Sequence, residues 1–390
     1  MAKITAWQIA AKRLYFFHQN LSRMVAAMKA FLKRHMGIHI WLVVLALLFG
    51  FYGWATGSAA AANAVTAVTQ RVKDGYAALW YLFPFSVVEW FYVVFIAGVP
   101  VWLVVVAYRV RRSGEKGHTA YAGVMSLVCL ALSVWCFYCL FWGVNYYADG
   151  FQEKSGIYAQ GVEVEELARV TEVFASELAA ASGQVERDEN GLFAASREEI
   201  FAASTAVYDA AAAQFPFLAR TDRVPKPMVF SRLFSAMGFT GFYTPFTGES
   251  NLNVDSPACM LPANIAHELA HQRGIASEQE CNFLAVLAAT TSGEAEYVYS
   301  GWLKAFIHVG NALYRLSPDL YWMIRDQLPE GVQADLADNN AYWEQFSDTV
   351  VQKASTTVYD GLLKSYGDER GIQSYGTVVD MLVAYYKNFV

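Results

Sequence analysis

The chain has 390 residues, of which 55% are hydrophobic, 15% aromatic and only 16% charged. Soluble domains carry about 25% charged residues, so part of this chain is built for lipid, and the length leaves room for two or three structural units. The net charge of -6 gives no basis for nucleic acid as a partner. Its five cysteines match no disulfide framework.

The first 37 residues are basic, with Lys3, Lys12, Arg13, Arg23, Lys29, Lys33 and Arg34. Trp7, Ile9, Leu14, Phe17, Leu21 and Met24 are spaced as the apolar stripe of an amphipathic segment lying on a membrane surface, with a loosely ordered tail as the alternative. Three apolar runs follow, at residues 38–55, 87–108 and 120–147. Each is long enough for a hydrocarbon core of ~30 Å at 1.5 Å per residue. Lysine and arginine crowd before the first run and between the second and third, at Arg109, Arg111, Arg112 and Lys116, whereas the first-to-second loop has only Arg71 and Lys73. By the positive-inside rule the N-terminus is cytoplasmic, and an odd number of spans puts residues 150–390 outside the cytoplasm, at a cell surface or in a periplasm. Glu89, close to one end of the second run, is read as an interfacial carboxylate.

From Glu163 to Ala213 the pattern is helical, with breaks at Ser182-Gly183 and Asn190-Gly191. Between Met228 and Asn253 glycines, prolines and β-favouring residues at short intervals predict short strands and turns. Gly241 to Thr244 is a candidate edge strand, against the plainer reading of a hairpin packed on the core. Beyond Ala263 the chain is helical again. The expected architecture is a membrane protein, mainly α, with three transmembrane helices followed by a mostly helical α+β domain with a small sheet.

Leu261 to Gly274 reads LPANIAHELAHQRG, with Pro262 suited to a first helical turn and Gly274 to the position past the end. His267 and His271, four apart, present both imidazoles on one face to a single ion. Glu268 beside them can take a proton from water activated by a metal and pass it to a leaving amine. The plain alternative is a pair of buried helix histidines without a metal. Zinc with an open position needs a third protein ligand, and the next segment, Ser277-Glu278-Gln279-Glu280-Cys281-Asn282, supplies carboxylates. Ser277 and Glu280 have capping-box spacing, which occupies Glu280 and leaves Glu278 as third ligand, with Glu280 the alternative. Asn282, one turn on, would orient a ligand histidine. Tyr375 is the candidate donor to a tetrahedral oxyanion. Arg273 would neutralise the end of the motif helix or meet a substrate carboxylate.

HELAHQRG followed by SEQECNFLA resembles the gluzincin metallopeptidases, in which a glutamate four residues ahead of an Asp or Asn is the third zinc ligand. The CAAX-type proteases and the sensor-type peptidases of antibiotic response have a similar E-x-x-x-D element, where this chain has Asn282. The segments Pro245–Asn253, Leu261–Gly274 and Ser374–Leu382 are also similar to those of an uncharacterised bacterial family of three-span membrane proteins. The resemblance implies a zincin-like domain that hydrolyses a peptide or protein substrate and supplies no identity for it. The competing expectation is a membrane sensor or assembly protein whose zinc is structural, closed by a fourth ligand such as Cys281 or Cys259.

Overall fold

The computed structural model describes residues 6–365 and 375–387. Helices dominate, and three are long and apolar enough to cross a membrane: Met36–Ala55, Val87–Arg112 and Lys116–Phe141. The third ends six residues before the sequence-based boundary. Trp142 leaves the helix, and Gly143–Tyr147 forms a 3-10 turn in which Asn145 accepts from Thr66 Oγ1 (3.1 Å) and donates to the Gly274 carbonyl (3.1 Å). Those bonds to distant segments outweigh the apolar character of the stretch.

Two compact units emerge. One comprises Met1–Gly53 and Ile96–Phe137. Its basic segment is a helix, Ala6–Arg34. Arg34 pairs with Glu115, His35 Nε2 lies 3.0 Å from His118 Nδ1, and Trp41 donates to Ser133 (2.9 Å). Gly123 sits against Val106, where a Cβ would come within 2.5 Å of a methyl group. A small residue there lets two apolar helices approach closely.

The second unit comprises Trp54–Phe95 and Tyr138–Val390, so residues 150–390 fall within it together with two earlier segments. What reads as a loop between the first two spans is a helix, Ala59–Trp80, with Ser58 capping its first turn. Its buried stripe of Ala62, Val65, Thr69, Lys73 and Ala77 follows helical spacing and packs on the Gly143–Tyr147 turn. Gln70 donates to the Gln272 carbonyl, Asn63 to Asp149, and Tyr76 to the Pro245 carbonyl.

The sheet has three strands, β1 (Lys226–Pro227), β2 (Gly241–Thr244) and β3 (Glu249–Leu252), in the order β1-β3-β2. β1 runs parallel to β3, and β2 runs antiparallel to it with Gly241 opposite Leu252 and Thr244 opposite Glu249. β2 is therefore an edge strand. The core lies among the helices Val164–Ser182, Leu261–Gln272, Glu278–Thr291, Ala295–Leu316 and Tyr375–Tyr386, around Phe174, Leu178, Ile265, Leu269, Phe283, Leu303 and Phe306.

Buried charges join the sheet to the start of the second apolar helix. Glu249 accepts from Lys226 Nζ (2.5 Å), Thr247 Oγ1 (2.7 Å) and the amides of Val87 (3.2 Å) and Val88 (3.1 Å). Lys226 also donates to the carbonyls of Trp80 (2.7 Å) and Phe85 (3.0 Å). Glu89, in the first turn of that second apolar helix, is buried and accepts from the amides of Val229 (2.9 Å) and Phe230 (2.8 Å).

Candidate metal centre

The motif helix Leu261–Gln272 is buried along its whole length. It begins with Pro262 in the first turn and stops at Gly274, whose φ of +85° suits glycine. His267 and His271 project from consecutive turns, with ring centroids 5.0 Å apart. A short turn then leads to Ser277, whose hydroxyl accepts from the Glu280 amide and starts the helix Glu278–Thr291. That reversal aims Glu278 back at the two rings. Its carboxylate oxygens lie 3.1 Å from His267 Nε2 and 3.5 Å from His271 Nε2. Among the described residues, these three are the one group of His, Cys, Asp or Glu whose ligand atoms gather within 4.8 Å.

The opposite ring nitrogens are held from outside the cluster. His267 Nδ1 donates to Asn282 Oδ1 (3.0 Å) and His271 Nδ1 to the Ile275 carbonyl (2.8 Å). A carbonyl can only accept, so each Nδ1 carries the hydrogen and each Nε2 turns its lone pair towards Glu278. Two lone pairs and a carboxylate facing one another need a positive charge among them. Burial pushes His267 down to about 4, which keeps it neutral. Burial also opposes a charged His271; the Cys281 thiol beside it is pushed up to about 11 by burial and is neutral, so without a metal the needed charge is a proton held on His271 by Glu278.

A divalent ion fits the same space. A tetrahedral zinc with bonds of ~2.0–2.1 Å sets its ligand atoms about 3.3–3.4 Å apart, and the two spacings here, each to a different Glu278 oxygen, lie on either side of that value. The donor set of two imidazole nitrogens and one carboxylate leaves one position of such a tetrahedron without a protein ligand. Cys281 does not supply it, because its sulfur lies 3.3 Å from His271 Nδ1, on the far side of the ring. Cys259 is buried in the 3-10 turn ahead of the motif helix and is absent from the cluster.

Glu268 is buried on the same helix, and its Oε2 has no hydrogen-bond partner. Burial pushes it up to about 8. Gly241 of β2 approaches so closely that a Cβ there would come within 2.7 Å of Glu268 Oε1, which is the reason for glycine at that position. The carboxylates of Glu268 and Glu278 and both imidazoles open into a cavity of about 490 Å³, lined also by β2, Tyr138, Trp142, Lys304 and Tyr359.

Glu280 and Arg273 have partners that their local spacing does not announce. Glu280, the alternative ligand, accepts from the amides of Phe151 (2.8 Å) and Gln152 (3.0 Å) and so caps a separate short helix, Phe151–Ser155. Only the Ser277 half of the capping box forms. Arg273 does bond the Leu269 carbonyl (3.0 Å), but its charge is taken by Asp222 (2.7 Å) and its guanidinium stacks 3.6 Å over Tyr208, leaving nothing for a substrate carboxylate. Tyr375 opens the last helix, and its side chain lies outside the described residues.

Two groups escaped the sequence reading. Tyr359 Oη donates to Glu278 Oε1 (2.5 Å). Lys304 Nζ is buried at the cavity wall, where it donates to Asn264 Oδ1 (3.4 Å), and burial pushes it down to about 8. Gln352, Ser355, Thr356 and Tyr359 line the cavity at helical spacing, but in the sequence such a polar stripe reads as an ordinary solvated helix face, so Tyr359 carried no distinct signal.

Comparison with curated proteins and with solved structures finds no match for the chain. The family described as Protein of unknown function (DUF3810) has a model that matches residues 68–383, from the connecting helix through the last helix and across the whole candidate centre, and the chain belongs to that family.

Proposed function

We propose that this protein is a membrane-anchored zinc metallopeptidase of the gluzincin type, with His267, His271 and Glu278 as metal ligands. The observation that carries the reading is the convergence of two imidazole lone pairs and a carboxylate beside an unpartnered, buried Glu268 oxygen at the wall of a cavity. Bound zinc would supply Lewis acidity, drawing charge from a substrate carbonyl oxygen and bringing the pKa of a water towards ~7.

The protein's own groups then divide the remaining work. Glu268 takes a proton from the attacking water as oxygen adds to the carbonyl carbon, and delivers it to the amide nitrogen as the C–N bond breaks, leaving a carboxylate and an amine. Its raised pKa suits a group that must both accept and release a proton near neutrality. Lys304 on the cavity wall offers an N–H to the oxyanion, alongside the Tyr375 hydroxyl considered from the sequence, while the Tyr359 hydroxyl is committed to Glu278 and steadies that ligand. Asn282 and the Ile275 carbonyl hold the imidazoles in the tautomer that ligation needs. The outer edge of β2 offers backbone groups to an extended substrate as an added strand.

A structural zinc in a sensor or assembly protein would be closed by a fourth protein ligand, and the placement of Cys281 and Cys259 gives that reading no support. The distribution of lysine and arginine supports an orientation with the N-terminus cytoplasmic and the peptidase unit on the other face.

The test is metal content and cleavage together. The detergent-purified full chain should bind a single zinc, lose it in His267→Ala and Glu278→Ala, and keep it in Glu268→Gln. Envelope peptides produced by cells with the intact protein should be missing from cells with Glu268→Gln. A Glu268→Gln protein that still produces them removes Glu268 from the mechanism, and a wild-type protein that binds no zinc removes the proposal.

A further inference from the structure

Resting on that reading, we infer that the substrate is a polypeptide segment at the point where it leaves the bilayer, cleaved on the membrane surface beside the second apolar helix. Three sets of observations converge on this placement. The first is the polar clamp. Glu249 at the start of β3 takes the first two amides of Val87–Arg112, while Glu89 in that helix takes the amides of Val229 and Phe230. β3 in turn grips the motif helix, since Ser250 Oγ donates to the Glu268 carbonyl (3.1 Å) and accepts from Gln272 Nε2 (3.1 Å). A short chain of buried bonds thus runs from the entry of a membrane helix to the backbone of the proposed general base, so the site has a fixed height above that entry.

The second observation is how close the cavity comes to the apolar helices themselves. Tyr138, one turn before the end of Lys116–Phe141, lines it. Phe242 of β2 also lines it, and its ring lies 6.3 Å from that of Tyr92, in the second turn of Val87–Arg112. Second-turn positions are about 8 Å along the helix from Val87. The third is an apolar rim continuous with that entry. Leu82, Phe83 and Phe85 in the turn leading into it are exposed, Leu82 at 78%. Val229, at 59%, stands with Phe230 on the loop that Glu89 holds, Leu233, at 55%, follows in the helix Ser231–Met237, and Phe230 lies 6.3 Å from Trp90. Exposed apolar side chains in a patch of this kind mark an interaction surface, and continuity with a helix of spanning length selects lipid as its occupant, with Trp90 at headgroup depth.

An edge strand held at that level meets extended chain as it emerges. Reach across a headgroup layer of ~7 Å and along a four-residue strand takes about six extended residues, so cleavage falls within roughly ten residues of a span. A soluble protein would have to bring its scissile bond down to the rim.

Two measurements decide it. New N-termini are compared between membranes carrying the intact protein and membranes carrying Glu268→Gln. A spin label at Leu233→Cys in the full chain, in nanodiscs of phosphatidylethanolamine and phosphatidylglycerol, reports oxygen against a water-soluble nickel chelate. The expected result is a set of termini, specific to the intact protein, within about ten residues of a span in membrane-anchored proteins, with the label more accessible to oxygen than to nickel. Termini in soluble proteins, or far from any span, overturn the inference and leave the peptidase reading standing. So does a label that meets nickel more readily than oxygen. Identical termini in both membranes overturn the peptidase reading and the substrate with it, whatever the label reports.

Discussion

Asn282 offers the sharpest probe of the proposed centre, because it is the side chain that holds the ring of a proposed ligand from outside the cluster. The two histidines are held unequally: His271 by the Ile275 carbonyl, which no substitution removes, and His267 by Asn282 Oδ1 at 3.0 Å. His267 is 9% exposed, so Asn282→Ala leaves its Nδ1–H without a partner and the ring free to turn. An unsatisfied buried donor costs about 1–3 kcal/mol, which corresponds to a loss of roughly 5- to 150-fold in zinc affinity. Asn282→Asp should act the opposite way, since a carboxylate accepting from Nδ1 makes Nε2 a stronger donor to the metal. The assay is competition for zinc between the detergent-solubilised full chain and a chromophoric chelator, with melting temperature as a control for folding. If both variants bind zinc as the wild type does, the ring nitrogen facing Glu278 is not a metal ligand and the tautomer argument fails.

Other consequences can be measured on the same preparation. Glu280→Ala should lower stability by about 1–3 kcal/mol through the Phe151 and Gln152 amides yet leave zinc stoichiometry unchanged; loss of zinc with unchanged melting would reinstate Glu280 as a ligand. Gly241→Ala should retain zinc and lose most hydrolysis, because the new methyl displaces Glu268, and full activity in that variant would show that Glu268 has other room. Lys73 is pushed down to about 7, first by burial and then by Arg220. Between that value and the ordinary ~10.5 the unfolded chain binds more protons, so stability should rise with pH across this window, by on the order of 5 kcal/mol. Lys73→Met should flatten the rise, and an unchanged slope in thermal melts would refute the assignment. Lys226→Met and Glu249→Gln should each cost about 3–5 kcal/mol, and their combination less than the sum; additive losses in a double-mutant cycle would mean that the pair is not coupled.

The motif was legible because its information is local. Histidines four apart on a helix face one way whatever surrounds them, and Glu278 follows from the turn that separates two adjacent helices. Glu280 was read as a local cap because Ser277 stands at the right spacing, but its carboxylate serves amides 129 residues earlier in the chain, a partner that no spacing announces. The helix Ala59–Trp80 was hidden by its own composition. Alanine with a few polar residues resembles a solvent-exposed connection, and Lys73 gives no hint that its ammonium is buried, 3.0 Å from the Phe141 carbonyl. Trp142 to Tyr147 looked like a continuation of the third span because hydropathy registers the aromatic rings and not the two bonds through which Asn145 draws the segment away.

Side chains whose partners lie far along the chain bear on how such a protein holds its shape. Glu249, Lys226, Glu89, Glu280 and Lys73 are all buried charged side chains with distant partners. Burial of apolar surface could not do their job. At the level where a membrane helix begins, its flank already faces a hydrocarbon-like surrounding, so an apolar contact with a neighbouring unit gains little over contact with lipid. A carboxylate that accepts the free amides at a helix start gains a great deal there, because those amides have no intrahelical acceptor and water is scarce. Replacing such a pair with hydrophobic residues would often leave a soluble domain as stable as before. Here it would free the sheet to slide against the membrane helix, and Glu268, one hydrogen bond from β3, would slide with it. The polar clamp therefore fixes position, the one property that a site of the proposed kind, at a membrane surface, could not obtain from hydrophobic packing.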